Sequence, residues 1–307
     1  MTLAAVLVEA FAERPCQGNG AAVVRLKQPF GDTELQAIAR SLNQSETAFL
    51  LRYRQAWLLR WFTPSVEVPL CGHATLAALL ALGHWGELAP GQALALQTRS
   101  GPLAVQRHPT AAADGAAAGS IVLPSSGLRP QRPPAALQEL LRRALGECPL
   151  EYWDSPLGYR VGLLSPAAPL EQLRLPLDRL PPAERQGLVL MQALGVGDRP
   201  QVMGEPADYQ LRFFAPGLGI AEDPVTGSAH ALVAPYWQAV LGRRRVVGWQ
   251  CSIRPGGMVC EGASSGMIRL SGSGHLLWNG TLHLPGFGAV SGSWDSMDSE
   301  GWRSLLA

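Results

Sequence analysis

The stretch "RWFTPSVEVPLCGHATLAALLA" (residues 60–81) recurs in altered form as "RFFAPGLGIAEDPVTGSAHALVA" (residues 212–234). Each copy begins with an Arg, two aromatic residues, a small residue and a Pro, and these positions match at one constant offset along the chain. After the Pro comes a loop, and then a Gly (Gly72 or Gly227) opens an apolar helical pattern. A repeat of this length indicates that one structural unit has been duplicated.

The rest of the chain supports the duplication, because each half runs through strands, a helix, further strands, a polar loop and a Gly-opened helix. We therefore predict an α+β fold of two similar domains, over residues 1–125 and 126–290, with the two Gly-opened helices facing one cleft. The proline-rich stretch "IVLPSSGLRPQRPP" (residues 121–134) is the candidate linker. The sequence pattern of the tail, residues 291–307, indicates no role for it.

Bulk composition excludes several classes of protein. The chain has 307 residues and 47% hydrophobic content, which is enough for two hydrophobic cores. Its formal charge of +1 argues against a nucleic-acid partner. Apolar runs are shorter than the roughly 18 residues of a membrane span, and "MTLAAVLVEAF" (residues 1–11) is typical of a first strand, not of a signal peptide. The five cysteines form no Cys-x-x-Cys pair, which argues against disulfides and metal. We expect a soluble cytoplasmic protein.

The two Gly-opened helices suggest a site for an anion. A helix N-terminus leaves backbone N–H groups unpaired and carries about half a positive charge, and a Gly lets a ligand carboxylate approach the backbone. The alternative is that Gly72 and Gly227 simply permit tight turns into core helices. His73, in the first turn, could act as an acid, a base or a donor, or could pack there. The helix dipole favours its neutral form.

Polar residues around the second Gly offer further candidates. Ser228 is the counterpart of His73 and could instead cap the helix, while the sequence shows no His-Asp pair that would indicate a serine hydrolase. Asp223 precedes a Pro and is therefore extended, so that it could pair with a substrate amine or hydroxyl, or could be a turn residue. We expect Glu222 to be solvated and His230 to be packed.

Glu46 and Cys71 are the candidates for proton transfer. Glu46 begins an apolar strand in "NQSETAFLL" (residues 43–51), and a closed apolar pocket would raise its pKa from about 4.3 toward neutrality. Such a carboxyl suits proton transfer at carbon, although it could also be an exposed strand residue. Cys71 would need a second Cys for a two-thiol racemase, and its counterpart is Thr226. We therefore interpret Cys71 as a small buried residue.

Five motifs taken together resemble the PhzF family of phenazine-biosynthesis-like isomerases, in order along most of the chain: "GNGAAVV", "SETAFLL", "WFTPSVEVPLCGHATLA", "RFFAP" and "EDPVTGSAHALVAPYW". The resemblance implies a diaminopimelate-epimerase-like fold. In that fold each domain is a mixed β-barrel around a central helix, and the active site lies in the cleft between the two domains. A homodimer is also implied.

The resemblance also implies roles for individual residues. A well-understood family member isomerises a dihydro-hydroxyanthranilate without cofactor or metal, and its acid and base falls on Glu46. Further catalytic positions fall on His73, Asp223 and Ser228, and substrate-binding positions fall on Asn19, Gly72 and Gly227. Many relatives have Gly-Asn-Pro where this chain has Gly-Asn-Gly around Asn19.

The sequence therefore predicts a cofactor-independent isomerase that moves a proton on a small carboxylate-bearing metabolite. Two alternatives stay open. One is an epimerase on the same scaffold, and the other is a metabolite-binding protein without turnover.

Overall fold

The chain forms two compact units. The computed structural model of the protein describes residues 1–109, 116–195, 197–264 and 266–287, together with Trp294. The N-terminal unit comprises the described residues of Met1–Ala10, Gly20–Val122 and those from Ser273 onward, and the C-terminal unit comprises those of Phe11–Asn19 and Leu123–Gly272. Two segments depart from the predicted halves 1–125 and 126–290. Phe11–Asn19 belongs to the C-terminal unit, and the described residues from Ser273 onward belong to the N-terminal unit. Most of the predicted tail, residues 291–307, lies outside the described residues.

The elements of the N-terminal unit are helices α1 (Asp32–Leu42) and α2 (Gly72–His84) and strands β1 (Thr2–Ala10), β2 (Asn19–Leu26), β3 (Glu46–Tyr53), β4 (Ala56–Phe62), β5 (Glu67–Val68), β6 (Ala93–Thr98), β7 (Gly101–Arg107) and β8 (Ala117–Pro124). Those of the C-terminal unit are helices α3 (Ala135–Leu145) and α4 (Gly227–Leu241) and strands β9 (Arg129–Pro130), β10 (Glu151–Asp154), β11 (Arg160–Leu163), β12 (Leu188–Ala193), β13 (Gln201–Val202), β14 (Glu205–Pro206), β15 (Tyr209–Ala215), β16 (Ile220–Asp223), β17 (Arg245–Gln250), β18 (Gly256–Gly262) and β19 (Met267–His283). The second part of β19, from Ser273, belongs to the N-terminal unit.

Eight strands of the N-terminal unit close into a barrel, in the order β1, β2, β3, β4, β6, β7, β8 and β19, with β19 returning to β1. The barrel is mixed, because β2–β3 and β4–β6 are parallel while β3–β4 and β6–β7 are antiparallel. Helix α2 packs against β1, β3 and β7. Its residues 73–82 are all buried, as expected for a helix that is apolar on every side. This is the predicted mixed barrel around a central helix.

The C-terminal unit repeats the same succession of strand pairings. Strands β11–β12 are parallel, β12–β15 and β15–β16 antiparallel, β15–β17 parallel and β17–β18 antiparallel. These correspond in turn to β2–β3, β3–β4, β4–β5, β4–β6 and β6–β7. Helix α4 packs on β17 and β18. The predicted duplication is therefore confirmed at the level of hydrogen-bonded register, which a chance similarity of residues would not reproduce.

A buried Arg–Glu pair stands at the same place in each unit. Nε and Nη2 of Arg60 lie 2.7 and 2.8 Å from the two carboxylate oxygens of Glu67, and both corresponding distances for Arg212 and Glu222 are 2.6 Å. Each guanidinium also lies over the second aromatic residue of its motif, at 5.1 Å for the first and 4.8 Å for the second. The planar fork of Arg matches a carboxylate in two hydrogen bonds, which fixes both side chains.

The expectation that Glu222 is solvated is therefore wrong. Its register partner across β15–β16 is Phe214, just as Glu67 is the partner of Phe62 across β4–β5. Arg212 is 3% exposed, so a charge partner within reach of its fork offsets the cost of burying it.

Outside the barrel strands, two further features bear on the predictions. Trp294, the described residue of the predicted tail, is buried, and its indole N–H donates to the carbonyl of Phe30 at 2.9 Å. Among the described residues, no helix is long and apolar enough to cross a membrane.

Replacing Glu222 with Ala is expected to lower the free energy of unfolding by about 2 kcal/mol, because it leaves a buried guanidinium without its carboxylate and removes two charge-assisted hydrogen bonds. Urea denaturation of the purified protein measures the change. The matched control is Glu139→Ala, which removes a carboxylate that pairs with Arg142 and Arg143 on the exposed face of α3. Equal destabilisation by both changes would contradict the structural role of the buried pair.

Candidate active site

Both predicted Gly-opened helices begin in the same way. The N-cap of α2 is Cys71 and the N-cap of α4 is Thr226, both extended, and neither side chain caps its helix. The first helical hydrogen bonds run to the N-cap carbonyls, from Thr75 at 3.1 Å and from His230 at 3.2 Å. The N–H groups of the residues between have no acceptor within the helix, as at any α-helix N-terminus. Gly72 and Gly227 are the first helical residues, where a ligand anion would meet the positive end of the dipole.

Glu46, Ser45 and His73 meet at the N-terminus of α2. Nε2 of His73 lies 3.1 Å from Oε2 of Glu46 and 3.2 Å from Oγ of Ser45. The Ser45 hydroxyl donates to the carbonyl of Gly20 at 3.0 Å, so its oxygen is oriented to accept from the imidazole. Oε2 of Glu46 is buried and accepts no hydrogen bond from any described residue. The imidazole of His73 therefore lies beside Oε2 without donating a hydrogen bond to it.

The ionisation of this pair differs from both expectations. Burial acts to raise the pKa of Glu46, but the charge of His73 and the polar side chains of His73, Ser45 and Cys71 beside the carboxylate outweigh it and hold the pKa below its usual value. Burial likewise acts to lower the pKa of His73, but the neighbouring Cys71 and the Glu46 carboxylate raise it well above its usual value. The predicted raised pKa of Glu46 and neutral His73 are therefore wrong. An adjacent opposite charge outweighs the helix dipole and the apolar surroundings.

Cys71 is a buried thiol, as expected. Burial raises its pKa, and the Glu46 carboxylate adds to the effect. Glu46, Cys71 and His73 also form a close group of potential metal ligands within the described part of the chain. However, the thiol lies by Nδ1 of the imidazole at 3.6 Å, whereas the carboxylate lies by Nε2. The donor atoms of the three residues nevertheless lie within 4.8 Å of one another, and the raised pKa of the Cys71 thiol disfavours the thiolate that a metal would bind.

Asn19 and Asp223 order the loop that leads into α4. The Asn19 amide donates to Oδ1 of Asp223 at 2.7 Å and to the carbonyl of Val225 at 3.0 Å, and the Thr226 hydroxyl donates to Oδ2 of Asp223. Asn19 is 1% exposed and Asp223 is 9% exposed. Both readings of Asp223 from sequence are compatible with this geometry, since a turn residue and a positioned functional group would each be held this way.

Gln250, which the sequence analysis did not single out, completes this loop. It is fully buried, accepts from the backbone N–H of Thr226 at 2.8 Å and donates to the backbone carbonyl of Asp223 at 2.7 Å. A Gln at the end of a strand carries no signal of its own, so its role emerges only from the fold.

Ser228 does not cap its helix. Its Oγ lies 3.2 Å from the phenol oxygen of Tyr159, whose ring packs on Phe213 with centroids 4.7 Å apart. Sequence reasoning missed Tyr159 because it stands between a turn and β11, far from both motifs. His230 is packed as predicted, and complete burial lowers its pKa to about 3.

The structure thus brings the predicted residues together in two groups, one in each unit. Glu46, Gly72 and His73 form the first, at α2, and the second, at α4, consists of Asn19, Asp223, Gly227 and Ser228. Their substrate-binding and catalytic roles stay predictions.

Comparisons with known proteins place this geometry in a family. The profile of the family described as "Phenazine biosynthesis-like protein" (PhzC-PhzF) matches residues 8–271. An uncharacterized isomerase of Pseudomonas aeruginosa is 36% identical over 90% of this chain and 97% of its own. A human phenazine biosynthesis-like domain-containing protein is 34% identical over 92% and 99% of the two chains. A crystal structure of an Enterococcus faecalis protein of the PhzF family superposes with a TM-score of 0.77 at 29% identity, covering 92% of this chain and 100% of the other. The chain belongs to the phenazine biosynthesis-like (PhzC-PhzF) family.

Proposed function

We propose that the protein is a cofactor-independent isomerase in which Glu46 removes a proton from carbon on a small carboxylate-bearing metabolite and returns it elsewhere on the same molecule. The observation that carries the proposal is the carboxylate oxygen Oε2 of Glu46, which is buried and accepts no hydrogen bond from the described residues. Buried polar atoms are seldom left without a partner, and an acceptor of this kind is suited to a substrate proton.

The ion pair with His73 explains how one carboxylate can serve in both directions. The imidazolium keeps Glu46 ionised at neutral pH, so that the base is ready when substrate enters. Once Glu46 has accepted a proton, the same imidazolium makes the carboxylic acid a stronger acid, which favours return of the proton. The imidazolium then also lies close enough to stabilise negative charge that develops on the substrate.

The two helix N-termini supply the binding of the carboxylate in this proposal. Gly72 exposes the first backbone N–H groups of α2, on the same element as His73, and Gly227 does so in α4. Asn19, Asp223 and Ser228 would position the remainder of the substrate. That both helices serve one substrate rests on the internal duplication.

An epimerase that uses two bases is the less suitable assignment. The N-cap positions that would carry two thiols are Cys71 and Thr226, and the raised pKa of the Cys71 thiol disfavours the thiolate. Cytoplasmic location and a homodimer stay predictions.

Glu46→Gln is expected to lower turnover of the true substrate at least about 100-fold, the usual contribution of a positioned acid or base. The measurement is proton NMR in deuterated water with trans-2,3-dihydro-3-hydroxyanthranilate, the substrate that the family resemblance implies. Wild-type protein should yield isomerised product that carries deuterium, and the variant should not.

Glu139→Gln, on the exposed face of α3, is the matched control for the loss of one carboxylate. Full activity of Glu46→Gln on a substrate that the wild type converts would refute the proposal. Ligand binding by the wild type without conversion or deuterium uptake would instead favour a metabolite-binding protein.

The ion pair also predicts how stability depends on pH. The pKa of His73 is raised in the folded protein, so its stabilisation is fully present below the pKa of an unfolded His, about 6.5, and is lost as pH rises through the folded pKa. The pKa of Glu46 is lowered, so its share is fully present above about pH 4.3 and is lost as pH falls through the folded pKa.

We therefore expect the difference in unfolding free energy between wild type and His73→Gln to be constant between about pH 5 and pH 6.5 and to shrink above pH 6.5. Urea denaturation from pH 5 to pH 9 measures it. A difference that does not change over this range would show that the pKa of His73 is the same in the folded and unfolded protein, and one that grows with pH would show a neutral His73 in the folded protein.

A further inference from the structure

The strand register shows which residue of the C-terminal unit stands in the place of Glu46. Phe62 and Phe214 are matched by the duplicated motif, and their antiparallel partners are Thr47 and Leu188. Glu46 directly precedes the first partner, and Gly187 directly precedes the second. The duplicated position of the proposed catalytic acid is therefore a Gly, which has no side chain to transfer a proton.

The space above Gly187 is filled by Tyr159. A Cβ on Gly187 would lie 2.9 Å from Cδ1 of Tyr159 and 2.8 Å from the ring of Phe213, so the phenol ring closes off the volume that a larger residue would need. In the parallel register of β2–β3, Ala21 stands opposite Glu46. Extending the pairing of Arg160 with Leu188 by one residue places Tyr159 opposite Gly187. The large and small residues have exchanged strands between the two units.

The exchanged residues nevertheless reach equivalent positions on the central helices. Glu46 lies 3.1 Å from Nε2 of His73, and the phenol oxygen of Tyr159 lies 3.2 Å from Oγ of Ser228. His73 and Ser228 are each the second residue of their helix. An ionised acid and imidazole in one unit thus correspond to a phenol and an alcohol in the other.

We infer that Tyr159 is a positioning residue that orients the Ser228 hydroxyl toward a carboxylate oxygen of the substrate, and that the C-terminal unit binds this substrate without supplying a base. The inference rests on the proposed function and deepens it, since it makes proton transfer one-sided.

The chemistry of the pair supports this division. A phenol and an alcohol are neutral near pH 7 and can each donate one hydrogen bond while accepting another. Either hydroxyl of this pair can donate; in the inferred arrangement the phenol donates to Oγ of Ser228, which leaves the Ser228 proton for an anionic acceptor at the N-terminus of α4. The ring of Tyr159 packs on Phe213, and its backbone N–H donates to Oγ of Ser155 at 3.2 Å, so that these contacts help to hold the phenol in place.

The test is a double-mutant cycle with Tyr159→Phe, Ser228→Ala and the double variant. Binding of 3-hydroxyanthranilate, a stable aromatic carboxylate, is measured by titration calorimetry, and deuterium uptake into trans-2,3-dihydro-3-hydroxyanthranilate is measured by NMR. Tyr159→Phe keeps the ring and should weaken binding about 3- to 10-fold, the value of one hydrogen bond. It should raise KM while kcat and deuterium uptake stay near the wild-type values. The double variant should bind no more weakly than Ser228→Ala, because Tyr159 acts through Ser228.

Three results would overturn the inference. Tyr159→Phe could bind like the wild type, the two changes could add fully in the double variant, or Tyr159→Phe could abolish deuterium uptake, which would make the phenol itself a proton-transfer group. Absence of binding by the wild type would also overturn it. Glu46→Gln run in parallel separates the two proposals, because deuterium uptake by that variant refutes the shuttle while the binding cycle still decides the role of Tyr159.

Discussion

The buried Arg–Glu pair in each unit is the interaction on which the candidate site depends. In both units the Glu stands four residues before the N-cap of the central helix, from Glu67 to Cys71 and from Glu222 to Thr226. The pair clamps the short strand that carries this Glu to the aromatic strand beside it. Because the chain enters the helix directly after that strand, the clamp limits where the helix N-terminus can lie. A buried pair with two hydrogen bonds specifies geometry more reliably than it adds stability, and here geometry is what the site requires.

Both units have kept the Arg–Glu pair and the position of the helix N-terminus, but the residues at that N-terminus differ between them. The N-caps are a thiol and a hydroxyl, Cys71 and Thr226, and the residues after the opening Gly are His73 and Ser228. In the N-terminal unit the polar contacts at the helix carry charge, through Glu46 and His73. In the C-terminal unit the carboxylate of Asp223 is taken up by hydrogen bonds within its own loop. The two units therefore differ in that an acid and an imidazole meet at one helix, whereas at the other helix the carboxylate is held within its own loop.

Sequence alone could predict the parts of this architecture that follow from local pattern. The repeated motif, the Gly-opened helices and the counterpart relation of Cys71 and Thr226 all follow from residue types at matched positions, and the structure bears them out. What depends on register could not be read in this way. The pairing of β19 with β1, which joins the chain from Ser273 to the N-terminal unit, links residues far apart in sequence. The partnership of Glu222 with Arg212 needs two strands in register, and that of Tyr159 with Ser228 needs the ring to fill the space above Gly187.

The pKa of Glu46 is likewise a property that sequence alone could not predict. Its residue type and apolar surroundings predict a raised pKa, and burial does act in that direction. The imidazole of His73, which lowers the pKa of Glu46, comes from a helix 27 residues away in sequence (46 to 73). No local sequence pattern therefore predicts it. The reversal also changes the chemistry: a carboxyl kept neutral would be a general acid first, whereas an ion-paired carboxylate is a base first. The buried Oε2 of Glu46 is consistent with that order, because it lies beside the imidazole without accepting a hydrogen bond from a described residue, and an unsatisfied buried acceptor costs about 1–3 kcal/mol. In the proposed reaction, a proton from the substrate satisfies this oxygen.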